Sequence, residues 1–418
     1  MASKTATTIS LGQVFRQGLL YPGAAAGAAV AFFGWRDDET NAQIRRSAAY
    51  WRVADVAAAA LRRVPDAETA HSLTLTALRL GFGPIAPRRS ADDAAALAVS
   101  AFGGTFASPI GVAAGFDKKG EAIGAVANLG FGHVEIGGVT PAAQLGNARP
   151  RVFRLPSDRA VVNRVGLPSE GAEVVAERVR ATTFATSAPF RVGVNCAKQQ
   201  GSHGRVEDFA AVATAFDDLA DFVVVNASCP NVTGGVVVDA EDLRAAVRAT
   251  KKATSLPVLV KLSPDLDAAS LREAADAVRR EHVDGVVLAN TSKKPGYRDA
   301  LTSEHKDEVG GLSGAPLKAA TRALVFEFYA LTGGRVPIVG VGGVETAEDA
   351  YALIRAGATL VQLYTGLIFM GPSAALKLHD GVLALAREDG FSTVADAVGA
   401  DHTTSTTTRG RRRWWWWW

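Results

Sequence analysis

The segment FVVVNASCPN, residues 222–231, joins an apolar run to a group of polar side chains. Its first four residues are aromatic or β-branched, which is typical of a parallel strand buried on both faces. Asn226, Ser228, Cys229 and Asn231 follow, and such groups are costly to bury without partners. Because active sites of (β/α)8 barrels lie at the carboxyl ends of the strands, the segment suggests a barrel strand ending in a functional site. Alone, it is equally consistent with a polar loop containing one inert cysteine.

Composition limits the class of protein. The chain has 418 residues, of which 48% are hydrophobic and 21% charged, so most of it can fold around a core. The formal net charge is only +3, which argues against a dedicated nucleic-acid-binding protein. Cys196 and Cys229 are the only cysteines, too few for a disulfide framework or a four-cysteine zinc site. We therefore expect a reducing compartment, no bound metal ion and no nucleic-acid partner.

The first 35 residues have the composition of a targeting segment followed by a membrane anchor. Residues 1–18 contain hydroxyl and basic side chains but no acidic one, as transit peptides do; an ordinary disordered terminus is the alternative. Residues 19–35 are apolar and uncharged, although slightly shorter than the roughly 20 residues that span a bilayer. We interpret them as a single membrane anchor, with a short buried helix or a secretory signal as the alternatives.

Two short amphipathic helices are predicted within residues 36–87. Residues 50–61 and 68–80 place apolar side chains at roughly helical spacing. Helices of this kind beside an anchor can form a cap on the membrane surface, or they can simply pack against the main domain. The periodicity is compatible with both arrangements.

Residues 88–402 alternate between strand and helix patterns, which predicts a parallel (β/α)8 barrel, also called a TIM barrel, with a doubly wound sheet as the alternative. The longest interruption predicts an inserted hairpin formed by residues 152–155 and 160–163. Residues 403–418 are of low complexity and are predicted to be a disordered tail. The eight strand candidates are residues 110–113, 133–136, 191–195, 222–226, 258–262, 285–289, 337–341 and 359–363.

Small or polar residues follow every predicted strand. Any one group could be turn chemistry, but eight together indicate a site and favour a closed ring. The segment GLSG at 311–314 and the glycines at 342–343, with Tyr364 and Thr365, offer backbone N–H groups where barrels often bind a phosphate. The amides of the early strands suit a planar heterocycle. Lys261, inside the apolar run VLVKL, suggests a cation beside a ring that gains negative charge, with a structural ion pair as the alternative.

The sequence resembles the dihydroorotate dehydrogenases between residues 66 and 402. Stretches that carry the resemblance include FDKKGEAIG, GNARPRVFRLPSD, VNASCPN, VKLSPDL, GGLSGAPL and LVQLYTGL. The membrane-bound, quinone-linked class is the most similar, because of the N-terminal helices and the FRLP, GGLSG and QLYT segments. The resemblance implies FMN-dependent oxidation of (S)-dihydroorotate to orotate in pyrimidine biosynthesis, with electrons passed to a membrane quinone. It also implies contact with membrane lipid, in the mitochondrial inner membrane or, alternatively, a bacterial-type cytoplasmic membrane.

The resemblance also implies residue roles. Cys229, immediately before Pro230, would be the base that removes the C5 proton while hydride passes from C6 to flavin N5. His71 and Arg154 would line a quinone tunnel, although His71 could instead be a satisfied core histidine. The substrate would contact Lys118, Asn163, Asn226, Asn231, Asn290 and Thr291. FMN would contact Ala113, Ala114, Gly115, Gly138, Asn163, Asn195, Asn226, Lys261, Ala289, Gly314, Gly343, Tyr364 and Thr365.

Three features depart from the quinone-linked pattern. Cys229 stands where that class usually has serine, and cysteine is typical of the soluble classes. Residues 166–168 replace the aromatic and amide pattern that commonly follows Asn163, and Gly138 stands where a hydroxyl is common. Two alternatives therefore stay open: the same oxidation with a soluble acceptor such as fumarate, and a flavin- or phosphate-binding barrel without turnover. The sequence contains no NAD-type fingerprint, so we do not expect NAD as acceptor without a partner subunit.

Overall fold

The computed structural model describes residues 47–182, 189–201, 206–228 and 240–403. Its centre is a closed barrel of eight parallel strands. The predicted (β/α)8 barrel is confirmed, and the doubly wound alternative is wrong. We number the barrel strands β1 (Ile110–Val112), β2 (His133–Val139), β3 (Arg191–Cys196), β4 (Phe222–Asn226), β5 (Val258–Leu262), β6 (Gly285–Leu288), β7 (Ile338–Val341) and β8 (Ala358–Leu363).

Alternate residues along the strands fill the inside of the barrel. Val224, Leu259 and Leu360 belong to an inner apolar layer, whereas Val223 and Val225 face outward into the core shared with the helices. A hairpin that the sequence analysis did not predict, Val99–Ala101 with Gly104–Phe106, contributes to the same inner layer. Its aromatic rings contact Phe222 at the amino-terminal end of β4. One end of the barrel is therefore filled by apolar side chains.

Two helices, α1 (Ala48–Leu61) and α2 (Ala67–Arg79), precede the barrel as predicted. Ser47 and Asp66 cap their N-termini by accepting hydrogen bonds from backbone N–H groups of the first turn. Each helix buries an apolar stripe, which places both against the rest of the protein. The buried residues are Tyr50, Trp51, Ala54, Ala70 and Leu75. We call this helix pair the cap.

The remaining helices surround the barrel and bury one face each against it. Helix α12 shows the pattern, because Leu378, Val382 and Ala386 recur at four-residue spacing and all are buried. The outer helices are α3 (Ala91–Leu97), α4 (Ile123–Asn128), α5 (Ala172–Ala181), α6 (Glu207–Ala215), α7 (Ala240–Ala253), α8 (Ala268–Arg280), α9 (Lys318–Thr332), α10 (Ala347–Ala356), α11 (Thr365–Met370) and α12 (Ala374–Glu388).

The predicted hairpin is present after β2. Val152–Leu155 and Ala160–Asn163 pair antiparallel, at the predicted bounds. The second of these strands also pairs with Gly311–Gly314, so the insertion is a three-stranded sheet. The sequence analysis treated residues 311–314 only as a source of phosphate-binding N–H groups. Pairing it with the hairpin carries Asn163 and Gly314 to one rim of the barrel mouth.

Several sequence predictions concern residues that the structure does not describe. They are the targeting segment 1–18, the anchor 19–35 and the tail, of which only Thr403 is described. Among the described helices, none combines the length and the apolar character needed to cross a bilayer. The boundaries proposed for the cap, residues 36–87, and for the barrel, residues 88–402, stay predictions.

Candidate active site

A cavity of about 310 Å³ lies between the cap and the carboxyl ends of the barrel strands. Cys229 and Asn231 fall outside the described residues. Every other predicted site residue lines the cavity: His71, Ala113, Ala114, Gly115, Lys118, Gly138, Arg154, Asn163, Asn195, Asn226, Lys261, Ala289, Asn290, Thr291, Gly314, Gly343, Tyr364 and Thr365. The structure thus brings these residues together, and their contacts with ligands stay predictions. The volume is at the lower end of the range for small-molecule sites, about 300–1,000 Å³.

A chain of hydrogen bonds runs across the barrel floor below the cavity. Asn195 Nδ2 donates to Glu135 Oε1 at 2.6 Å, and Asn226 Nδ2 donates to Asn195 Oδ1 at 2.8 Å. Ser228 Oγ donates to Asn226 Oδ1 at 3.3 Å and accepts from Asn290 Nδ2 at 3.0 Å. These side chains come from β2, β3 and β4 and from the loops after β4 and β6. Three of the predicted amides, Asn195, Asn226 and Asn290, are therefore members of one hydrogen-bond network.

Lys261 forms the structural ion pair that the sequence analysis gave as the alternative, and its role beside a ligand stays a prediction. It lines the cavity, and its side chain is only 6% exposed. Its Nζ lies 3.9 Å from Glu135 Oε1, so a buried ion pair is also present. The sequence analysis overlooked Glu135, which is fully buried within β2. The signal was available, because a carboxylate inside the apolar run HVEIGGV needs a buried partner.

Lys118 supplies a second cation to the cavity wall. Its Nζ donates to the carbonyl oxygen of Gly115 at 2.7 Å. Burial lowers the pKa of Lys118 to about 8, while the nearby Glu68 carboxylate raises that pKa and the Arg151 guanidinium lowers it. At neutral pH the side chain is therefore mostly protonated and can attract an anion, but it loses its proton within a moderately alkaline range.

Glycines bring the backbone close to the cavity beside β7 and β8. A Cβ at Gly343 would lie 2.4 Å from Lys318 Cα, and a Cβ at Gly314 would lie 2.4 Å from the carbonyl oxygen of Arg159. Both residues also have positive φ, so only glycine fits without strain. Nearby, the hydroxyls of Ser313 and Thr365 are 2.8 Å apart. This rim has the small residues and polar groups that suit a phosphate.

Gln362 is a further wall residue that the sequence analysis did not single out as part of a site. It lies on β8, is fully buried and lines the cavity. Neither of its amide atoms has a hydrogen-bond partner among the described residues. Because a buried amide is rarely left unsatisfied, its position is consistent with a polar ligand in the cavity.

His71 reaches the cavity from the cap. Its ring lies 5.5 Å from that of Phe116 and 6.2 Å from that of Tyr364, measured between centroids. Burial lowers the pKa of His71 to about 3, and Lys118 adds to the decrease. The imidazole is therefore neutral at physiological pH and can either donate or accept a hydrogen bond.

Arg154 connects the hairpin to the cap, a contact that the sequence did not reveal. Its Nη1 donates to the carbonyl oxygen of Arg62 at 2.6 Å. Its Nη2 donates to the carbonyl oxygens of Val64 and Pro65. These carbonyls lie in the turn between α1 and α2, so Arg154 holds that turn while it lines the cavity.

An ion pair also holds α2 against the barrel. Glu68 accepts two hydrogen bonds from Arg151, from Nη2 at 2.6 Å and from Nε at 3.1 Å. The Arg151 side chain is 7% exposed, and such bidentate, partly buried pairs are stronger than ordinary surface pairs. Arg149 adds a further contact with Glu68 at 3.0 Å. The cap is thereby fixed over the cavity at the point where Glu68 also approaches Lys118.

Comparison with known proteins identifies the family. A family model described as dihydroorotate dehydrogenase matches residues 96–385, a range that contains all eight barrel strands. The chain belongs to the dihydroorotate dehydrogenase family. It is therefore an oxidoreductase, and the resemblance noted in the sequence is confirmed.

Curated relatives and solved structures agree with this assignment. The chain is 44% identical over 346 residues to "Dihydroorotate dehydrogenase (quinone)" of Parvibaculum lavamentivorans, covering 82% of this chain and 97% of that protein. It is 42% identical to the mitochondrial "Dihydroorotate dehydrogenase (quinone)" of Mus musculus, covering 82% and 89%. The crystal structure of DHODH in complex with ferulenol from Eimeria tenella superposes with a TM-score of 0.76 at 34% identity, covering 81% of this chain and 96% of that chain.

Proposed function

We propose that this protein oxidises (S)-dihydroorotate to orotate with bound FMN and passes the electrons to a membrane quinone. The main support is the cavity itself, which joins a polar floor at the barrel strand ends to a helical cap. A polar floor suits a planar, hydrogen-bonding substrate and cofactor, whereas a helical cap suits an apolar electron acceptor. The family assignment supports the dihydroorotate oxidation and a flavin in general.

The residues of the cavity wall fit FMN. Asn195 and Asn226 would contact the flavin ring, and Lys261 would stabilise the negative charge that the ring gains on reduction. The glycine-rich rim at Gly314 and Gly343 would hold the phosphate. When bound, FMN accepts the hydride that leaves C6 of dihydroorotate. The predicted contacts of Ala113, Ala114, Gly115, Gly138, Asn163, Ala289, Tyr364 and Thr365 with FMN belong to the same proposal.

The substrate would be held by Lys118 and by amide and hydroxyl side chains. Lys118 would pair with the substrate carboxylate, since it is the cation on this part of the wall. Asn163, Asn226, Asn231, Asn290 and Thr291 would bind the pyrimidine ring. Cys229 would remove the C5 proton, and its neighbour Ser228 is already part of the network that includes Asn226.

The cap supports a quinone as electron acceptor. Its contribution to the cavity is largely apolar and includes Ala58, Leu61, Ala70 and Leu78. A neutral His71 and the guanidinium of Arg154 would face the quinone head group. The relatives named as quinone-linked include bacterial and mitochondrial proteins, which supports membrane association in either setting. A soluble acceptor such as fumarate is the second candidate, because Cys229 is typical of the soluble classes.

The decisive experiment is an absorbance spectrum of the purified protein. We expect a flavin spectrum that dihydroorotate bleaches without oxygen, since hydride transfer reduces the bound FMN. A long-tailed quinone added to the bleached protein should restore the spectrum, and fumarate should not. A flavin spectrum that dihydroorotate leaves unchanged would contradict the proposed reaction, whereas recovery with fumarate alone would contradict the proposed acceptor.

The affinity for the substrate carboxylate should depend on pH through Lys118. Below about pH 8 the free enzyme carries a protonated Lys118, and above it the cation is lost, so the orotate Kd should rise with pH. Titrations followed by the flavin spectrum between about pH 6 and pH 9 would measure this. Lys118→Arg, which keeps its charge over that range, should show a flat profile. A flat profile in the unmodified protein would contradict the role of Lys118.

A further inference from the structure

The buried carboxylate of Glu135 lies at one end of the hydrogen-bond network under the cavity. Its Oε1 accepts from Asn195 at 2.6 Å and lies 3.9 Å from the Lys261 ammonium. Its Oε2 has no hydrogen-bond partner among the described residues. Glu135 itself does not line the cavity, so it would act on ligands only through its neighbours. The proposed reaction assigns it no part.

We propose that Glu135 is a positioning residue with two effects on the site. It fixes the amides of Asn195 and Asn226 in one orientation. It also sets the reduction potential of the bound flavin, because its negative charge offsets the positive charge of Lys261. This inference rests on the proposed function, because it concerns the substrate and flavin of that site.

The orientation argument follows from what each group can donate. A carboxylate only accepts hydrogen bonds, so Asn195 must turn its NH2 group toward Glu135 and its oxygen toward Asn226. Asn226 must then donate to Asn195 and turn its own oxygen toward Ser228. Asn290 donates in turn to Ser228. An acceptor-only group at the start of the network thus specifies the orientation of the amides that the proposed function places around the ligands.

The charge argument concerns Lys261. Both members of the pair are nearly or fully buried, with side-chain exposures of 6% for Lys261 and 0% for Glu135. Charges at this depth interact much more strongly than in water, so the carboxylate reduces the positive potential that Lys261 presents to the cavity. Lys118, the other lysine of the cavity wall, has Glu68 near it instead. Replacing Glu135 with a neutral residue would therefore leave the positive charge of Lys261 less compensated, and this charge would favour the negatively charged, reduced flavin.

The test is Glu135→Gln, which preserves size but removes the charge and can present either its oxygen or its NH2 group to Asn195. We expect the variant to bind FMN and to bind orotate about fivefold to tenfold more weakly, since its amides are no longer held in one orientation. We also expect its flavin midpoint potential to shift to more positive values. A tenfold change in the reduction equilibrium corresponds to about 30 mV for a two-electron couple.

Two further variants make the result specific. Glu170→Gln removes a carboxylate that pairs with Lys119 and Arg178 outside the cavity, and it should leave both quantities unchanged. Glu135→Asp keeps the charge but withdraws it by one methylene, so it should cause smaller changes in the same directions. If the Glu135→Gln protein does not fold, the same two measurements are made on Glu135→Asp.

The outcomes separate the two proposals. An unmodified protein that carries no flavin would overturn both. If dihydroorotate bleaches the unmodified protein but the Glu135 variants keep its midpoint potential or its orotate affinity, only the role of Glu135 is overturned. A lower melting temperature alone, with potential and affinity unchanged, would show a purely structural carboxylate and would likewise overturn it.

Discussion

Replacing Cys229 with alanine should slow flavin reduction by dihydroorotate about 10²–10⁴-fold, the usual cost of removing a general base. The expectation rests on the proposed role of Cys229 as the group that takes the C5 proton. FMN should stay bound, because the proposed flavin contacts do not include this residue. Stopped-flow absorbance after anaerobic mixing would measure the rate, and the flavin content per chain would show whether the cofactor is retained.

Two further variants, Cys229→Ser and Cys196→Ala, test whether the effect is specific to the base. Cys229→Ser should keep part of the activity with its optimum at higher pH, because a hydroxyl is a much weaker acid than a thiol of unperturbed pKa about 8.5. Cys196 provides the matched control, since it is the other cysteine, is fully buried on β3 and does not line the cavity. Burial raises the pKa of its thiol, and Cys196→Ala should reduce flavin at nearly the parental rate. If the flavin of Cys229→Ala is reduced at nearly the parental rate, Cys229 is not the base.

The barrel could be predicted because its strands carry a local signal. Residues 222–226 and 258–262 are strands with the predicted bounds, since a continuous apolar run between turns is characteristic of a strand buried on both faces. The hairpin at Val99–Ala101 and Gly104–Phe106 was missed because strands of three residues are too short to show a periodicity. Its packing in the inner layer of the barrel depends on residues that are distant in sequence, so no local sequence pattern predicts it.

The site was predictable where the barrel geometry alone gathers residues. Asn195, Asn226 and Lys261 are the last or next-to-last residues of their strands, and parallel strands in a ring bring those ends together. Partners that are distant in sequence were not predictable. Nothing local indicates that Arg154 holds the turn after α1, since the residues it contacts lie about 90 positions away. The pairing of Glu135 with Asn195 likewise depends on which faces of β2 and β3 turn inward.

In the proposed function, the cap determines which electron acceptor can reach the flavin. In the proposed function, dihydroorotate chemistry needs only the barrel mouth, whereas a long-tailed quinone needs an apolar path from the bilayer. Helices α1 and α2 contribute the apolar side of the cavity, and Arg154 and Glu68 fix them in place. A substitution within the cap should therefore affect the reoxidation of the flavin and not its reduction.

Ala58→Trp should separate the two half-reactions. Ala58 lies on α1 and lines the cavity, so an indole there would occupy the apolar path. We expect quinone-dependent reoxidation to fall about 5- to 150-fold, since steric conflict of this kind costs about 1–3 kcal/mol, while bleaching by dihydroorotate stays near the parental rate. Val56→Trp is the matched control, because Val56 is 57% exposed and lies about 200° away from Ala58 around the axis of the same helix. If Ala58→Trp reoxidises with quinone at the parental rate, the quinone does not pass between these helices, and a soluble acceptor becomes the better assignment.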